Sequence, residues 1–294
     1  MARTSQPVST PAAYGLALFT MVIWGSAFAG IRFVRAELDW VTLTMLRLAF
    51  AAGALLVAGK VVGTPFPDRR DWLKILGAGI LGFTLYHLAL NYGMGKLTAG
   101  QGAFVISTIP IWTSLLAWQF LDERITIRTW LGMLLGLTGV GIISLNFERL
   151  TVQPETFVVL FAAACVGANI VLQKDLLKRY RAVDVAVYAT TVGAIPLLLW
   201  LPWSIDPLSD LSRARWATIA YLGLGPIALG YFLYQVTLNA LDASKASQMQ
   251  LLIPPIAALI AWFAIDEEPG LRLLIGGPVI LIGVLLGNLE RTQK

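Results

Sequence analysis

The sequence predicts an all-α membrane protein: ten transmembrane helices in two inverted five-helix repeats around a central cavity. Three observations predict this. First, 57% of the 294 residues are hydrophobic and 13% are charged, and the mean hydropathy is +0.73. A soluble domain carries about 25% charge, so this chain could not cover a globule with polar surface. Second, ten apolar runs of spanning length follow one another with short loops between them. Third, a shift of 144 residues lays Pro110 on Pro254 and the Asp122-Glu123 pair on Asp266-Glu267. The same composition excludes a disordered chain.

In order, the first five runs are Ala12–Phe33, Trp40–Val62, Trp72–Tyr92, Thr98–Leu121 and Thr126–Asn146. The second five are Pro154–Lys174, Asp184–Trp203, Ala214–Leu238, Ser244–Ile265 and Leu271–Leu289. The first run is too long for a signal-peptide core and lacks a cleavage site, so it is kept as a helix. No gap could hold a soluble domain, so function resides within the membrane or at its faces. Trp40, Trp72, Trp130, Trp203 and Trp216 sit at span ends, as interfacial anchors do. Cys165 is the only cysteine, so an internal disulfide is excluded.

Lysine and arginine counts orient the chain. With the N-terminus cytoplasmic, 14 fall inside, 7 fall outside and Arg47 lies within the second span. Both termini are therefore expected in the cytoplasm. Because the basic residues fall in short loops, the net charge of +5 is not a nucleic-acid signal.

Between residues 109 and 140, the 144-residue shift gives 12 identities in 32 positions. They include Gly132 on Gly276 and Gly139 on Gly283, read as helix-packing contacts. Five spans per copy invert the second copy in the membrane, giving domains 1–146 and 147–294. Inverted repeats with interrupted helices are a transporter pattern. Pro110 and Pro254 fall near the middle of the fourth and ninth spans, where proline frees a carbonyl four residues back. They are read as helix breaks or gating points at the cavity, with a packing kink as the alternative.

Polar residues share spans with these breaks. The first span carries Trp24; the third carries Tyr86, His87 and Asn91; the fourth carries Gln101, Ser107, Thr108 and Trp112. Their counterparts are Asn169 and Gln173 in the sixth span, Tyr231, Tyr234 and Gln235 in the eighth, and Gln248 in the ninth. These residues are the candidate lining of a substrate cavity ringed by spans one, three, four, six, eight and nine. Each has an alternative: interhelical hydrogen bonding for the histidine and amides, ordinary packing for the aromatics. Arg47 is expected to snorkel or to meet a carbonyl. The expected cavity thus has aromatic walls, amides and hydroxyls but no fixed charge at the midplane. It suits a small amphipathic or zwitterionic solute.

Phosphate-binding loops, HExxH and GxSxG elbows are missing, and no carboxylate sits at a span centre. Neither an enzyme nor a cofactor or metal site is expected. Without a carboxylate relay, facilitated diffusion stands beside proton coupling.

Trp24-Gly25-Ser26-Ala27-Phe28 resembles the first-span WGSxF motif of the drug/metabolite transporter superfamily. Met45-Leu46-Arg47-Leu48-Ala49 resembles its second-span segment, with Leu48 in place of the usual Phe. The stretch from Pro110 through Glu123 to Gly139-Val140, repeated from Pro254 to Gly283, resembles its EamA domains. The resemblance covers nearly the whole chain. It implies ten helices, cytoplasmic termini, a bacterial inner-membrane location and alternating access. Within the superfamily the sequence resembles exporters of aromatic and other amino acids, so amino acids are the expected cargo of a monomer in the bilayer. Efflux of drugs or other small metabolites, driven by protons, is the alternative.

Overall fold

A computed structural model describes residues 8–35, 37–94, 97, 99–145, 153–203, 211–265 and 271–288. Among the described residues there are ten helical rods and no strand. The first half contains α1 (Thr10–Arg35), α2 (Trp40–Val62) and α3, which runs through Trp72–Gly79, a π-helical stretch Ile80–Leu85 and Tyr86–Met94. It ends with α4, in two pieces (Ala99–Ile106 and Ile109–Phe120), and α5 (Ile127–Ser144). The second half contains α6 (Pro154–Leu176), α7 (Ala182–Leu198) and α8, which runs through Arg213–Leu222, a π-helical stretch Gly223–Leu229 and Gly230–Ala240. It ends with α9 (Ala243–Gln248, a 3-10 turn Met249–Leu252, then Ile253–Ile265) and α10 (Leu271–Asn288).

Five rods are long and apolar enough to cross a bilayer unaided: Trp40–Val62, Arg69–Gly93, Pro154–Leu176, Arg213–Ala240 and Leu271–Asn288. Phe104–Phe120, Ile127–Ile143 and Ala182–Leu198 are shorter apolar rods. Local chemistry sets several ends. The Asp39 carboxylate accepts from the Val41 and Thr42 amides at 2.9 and 3.0 Å, which caps α2. Gly63, with φ of 66°, closes that helix in the left-handed region. The seventh span ends earlier than expected, at Leu198, two residues after Pro196.

The 144-residue register runs through the whole fold. Residues 127–144 of α5 map residue for residue onto 271–288 of α10. The π stretches of α3 and α8 coincide within one residue, and the break in α4 falls opposite the 3-10 turn of α9. Along the α5–α10 seam the two backbones touch. A Cβ on Gly132 would lie 2.5 Å from the Gly283 carbonyl oxygen, and one on Gly276 would lie 2.6 Å from that of Gly139. These contacts exchange under the shift, as a pseudo-two-fold axis requires.

Candidate functional site

A cavity of about 580 Å³ opens between the two halves. Trp24, Ala27 and Ile31 of α1 line it, as do Asn169, Ile170 and Gln173 of α6. Both interrupted helices reach it, with Ser107 and Pro110 from α4 and Gln250 and Pro254 from α9. Trp24 lies 14 residues into α1, about 21 Å from its start, so the cavity occupies the middle of the bundle. Ile31 and Ile143, near the far ends of α1 and α5, extend it towards the face opposite the start of α1.

The π stretches make the walls. A wide turn leaves irregular backbone, tolerated at membrane depth where it is buried in protein or lines a cavity. The Trp24 indole N–H donates to the Pro226 carbonyl at 2.8 Å, within the π stretch of α8. Its ring tilts against Tyr231 and Tyr234, with centroids 5.3 and 5.2 Å away. Gly230 is obligatory there, because a Cβ would lie 2.7 Å from the indole nitrogen. In the other half Gly82, inside the π stretch of α3, leaves room for the Asn169 amide. Tyr234 accepts from Gln250 Nε2 at 3.0 Å, tying α8 to α9.

Of the candidate lining, Trp24, Tyr86, His87, Asn91, Ser107, Asn169, Gln173, Tyr231 and Tyr234 face the cavity, as do both prolines. Asn91 also donates to Thr44 at 2.6 Å. The Gln101 side chain lies outside the described residues, as do Asp266 and Glu267. Four residues stand away from the wall. The Thr108 hydroxyl turns back to the Val105 carbonyl at 2.7 Å. Trp112 packs on Gly167 in the α4–α6 contact. Gln235 is fully buried behind Gln173, to which it donates. Gln248 is fully buried and donates to the Thr129 carbonyl at 3.4 Å, gluing α9 to α5. The expected free carbonyl at Gln250 is also corrected: the 3-10 turn gives it the Ile253 N–H.

Arg47 reverses another expectation. It neither snorkels to the surface nor meets a carbonyl; it is 5% exposed and lines the cavity. The expected ring of spans one, three, four, six, eight and nine omitted α2, yet residues 42–48 of α2 are all buried. Close backbone contact at Gly223 of α8 holds that end of α2 inward, since a Cβ there would lie 2.7 Å from the Arg47 carbonyl oxygen. The cavity therefore contains a fixed positive charge.

On the face where α1 begins, the halves are bolted together. Asp71 takes Arg179 at 3.1 Å and the Tyr180 hydroxyl at 2.9 Å. Burial, with Asp71 beside it, raises the Tyr180 hydroxyl pKa above its ordinary value. Lys74 pairs with Asp175 at 2.5 Å, and Thr64 donates to Asp184 at 2.8 Å. Asp122 adopts a left-handed turn (φ 57°), which Asp tolerates better than most residues. The next residue, Glu123, accepts from the Ala243 amide at 2.6 Å and the Ser244 amide at 3.1 Å at the start of α9. The far face has its own ties, including Arg215 to Glu37 at 2.6 Å and Arg272 to the Leu145 carbonyl at 3.0 Å. Among the described residues no cluster of His, Cys, Asp and Glu could hold a metal ion.

The model of the EamA-like transporter family matches twice, over residues 11–145 and 154–289. An uncharacterized transporter of Bacillus subtilis strain 168, YdfC, is 32% identical over 91% of this chain and 88% of its own length. A protein of Streptantibioticus cattleyicolor named a probable terminal-alkyne amino-acid exporter is 32% identical, over 92% of this chain and 91% of its own. One crystal structure superposes with a TM-score of 0.79 over 95% of this chain and 97% of its own, at 17% identity, which shows a shared fold.

Proposed function

Because this chain belongs to the EamA-like transporter family, we propose that it exports amino acids, aromatic ones included, from the bacterial cytoplasm by alternating access. The observation that carries the reading is the cavity of about 580 Å³ at the interface of two inverted halves, reached by both interrupted helices. Its volume falls within the range of small-molecule sites. Trp24, Tyr86, Tyr231 and Tyr234 supply aromatic surface for a side chain or an ammonium. Asn91, Asn169 and Gln173 supply polar partners for a zwitterion. The 32%-identical exporter relative supports amino acids as cargo.

Domains 1–146 and 147–294 are the two units that rock against each other. With both termini cytoplasmic, the bolted face is the cytoplasmic one, and this conformation presents the cavity towards the outside. One chain contains both halves of the pathway and works as a monomer in the inner membrane. No carboxylate lines the cavity among the described residues, so the substrate gradient drives transport.

The test is counterflow in proteoliposomes loaded with unlabelled phenylalanine, threonine or methionine, with entry of the labelled amino acid followed with and without a pH gradient. Saturable entry that ignores the gradient is expected. Folded protein that exchanges none of the three would overturn the amino-acid reading and leave drug or metabolite efflux as the use of the cavity.

A further inference from the structure

We propose that Arg47 is the carboxylate-binding residue of the cavity, and that transported solutes are recognised through a single carboxylate group. The inference rests on the transport reading of the cavity but not on its cargo being an amino acid.

Arg47 is a buried charge without a partner. Arg47 lies seven residues into α2, about 10 Å along the helix axis. It is 5% exposed and faces the cavity. Its Nε has no hydrogen-bond partner, and it forms no ion pair among the described residues. Guanidinium stays protonated in proteins, so the charge cannot be discarded. Its titratable neighbours are Tyr86, Tyr231 and His87, none of them an anion in an ordinary membrane setting. No Asp or Glu is among the residues that line the cavity.

Lys174 shows how a cation elsewhere in the bundle is met. Its ammonium donates to the Leu238 and Leu241 carbonyls at 2.5 and 2.7 Å, at the end of α8. Arg47 has no such arrangement. A buried, uncompensated ion is costly, and a charged group kept inside a membrane protein faces a partner or a pathway. Here the partner comes with the solute. The planar guanidinium fork matches a carboxylate through two parallel N–H···O bonds, and a point-charge ammonium does not.

Two other unpartnered atoms of the lining fit the same occupant. His87 Nε2 is buried without a partner beside Tyr86, whose ring centroid is 4.7 Å from its own. Asn169 Oδ1 is unpartnered on α6 and 1% exposed, an acceptor in the same cavity suited to an ammonium but not to a second carboxylate. The Arg47 donors in the first half and the Asn169 Oδ1 acceptor in the second give the cavity polarity, with Gln173 Nε2 a further unpartnered donor on α6. A solute with one carboxylate satisfies that polarity, and an amine alone leaves Arg47 bare.

The experiment compares each acid with its neutral twin. Purified protein in nanodiscs is titrated with 3-phenylpropionate and with 3-phenylpropanamide, and with phenylalanine and phenylalaninamide, while thermal stabilisation is followed. Each acid is expected to stabilise the wild type at concentrations about 10- to 100-fold lower than its amide. Arg47→Gln is expected to erase the difference, and Arg47→Lys to keep part of it. Equal binding of acid and amide, or no binding of either acid to folded protein, overturns the proposal even if Arg47→Gln fails to fold. Counterflow separates the two readings. If the acids discriminate but phenylalanine does not exchange, the carboxylate site stands and the amino-acid cargo falls. If phenylalanine exchanges and Arg47→Gln leaves half-saturation unchanged, the cargo stands and the Arg47 site falls.

Discussion

Along the α5–α10 seam, the positions of closest backbone approach hold the same residue 144 residues apart, Gly132 with Gly276 and Gly139 with Gly283, while their neighbours differ, Gly136 against Ile280 and Ile143 against Gly287. Around the cavity the helix breaks are shared, Pro110 with Pro254, but the polar and aromatic lining is not. Trp24 corresponds to Ala168, Arg47 to Thr191, His87 to Tyr231, and Gln173 to Ala29. The seam lies on the pseudo-two-fold, where each half meets the other in the same way. At Gly132 and Gly139 the glycine that one backbone requires is required by its twin. The cavity holds a solute with no two-fold symmetry, and two identical walls could not bind its different ends. In this chain the paired glycines of the seam mark scaffold, the paired prolines mark the helix breaks, and divergence among the polar and aromatic lining marks recognition.

The most damaging way to break that contrast is at the seam. Gly139→Leu forces a side chain where a Cβ would already lie 2.7 Å from the Gly276 carbonyl oxygen. The backbones must part, at a cost of about 3 kcal/mol. Folded yield and melting temperature should fall sharply, with no rescue by ligand. The control is Gly53→Leu in α2, where nothing lies within 4 Å of the added Cβ. That change should leave melting unaltered or raise it slightly, since Gly is a poor helix former. Equal melting of the two variants would deny the seam its scaffold role.

A smaller effect is expected at the cavity wall. Trp24→Phe keeps an aromatic ring beside Tyr231 and Tyr234 but removes the 2.8 Å hydrogen bond to the Pro226 carbonyl. The loss of about 1 kcal/mol corresponds to a roughly fivefold rise in the half-saturation concentration for phenylalanine counterflow. Unchanged kinetics in folded Trp24→Phe would show that the solute does not depend on this wall.

The same contrast explains what the sequence disclosed. The spans, the inverted repeat and both mid-span prolines were legible because they depend on composition and on residues that recur. Gln101, Thr108 and Trp112 of the fourth span share one face only if that span is one continuous helix. The break after Ile106 shifts the phase, so Trp112 turns onto Gly167 instead of the cavity. The π stretches of α3 and α8 change phase in the same way, and no residue pattern announces them. Arg47 was hidden for another reason. An arginine about 10 Å inside a span is compatible with snorkelling, and only the packing of α2 on Gly223 turns it inward. Gln250, with its bond to Tyr234, was overlooked because it occupies the turn before Pro254.

The finest test lies where scaffold and cavity meet. Gln235 donates to Gln173, and of the two only Gln173 faces the cavity. Gln235 Oε1 and Gln173 Nε2 have no partners, so the pair is joined by one bond where two amides could make more. Interhelical bonds of this kind couple by about 0.6 kcal/mol, less than the desolvation of either amide. A double-mutant cycle of Gln173→Leu and Gln235→Leu should therefore give a small coupling in thermal stability. The kinetic readout divides the pair. Gln173→Leu should raise the half-saturation concentration, because it also removes a polar group from the wall. Gln235→Leu should change stability with little effect on half-saturation, because its side chain never reaches the solute. Equal kinetic effects from both would mean that the amides act as one unit, with the boundary between scaffold and recognition one layer deeper than the cavity surface.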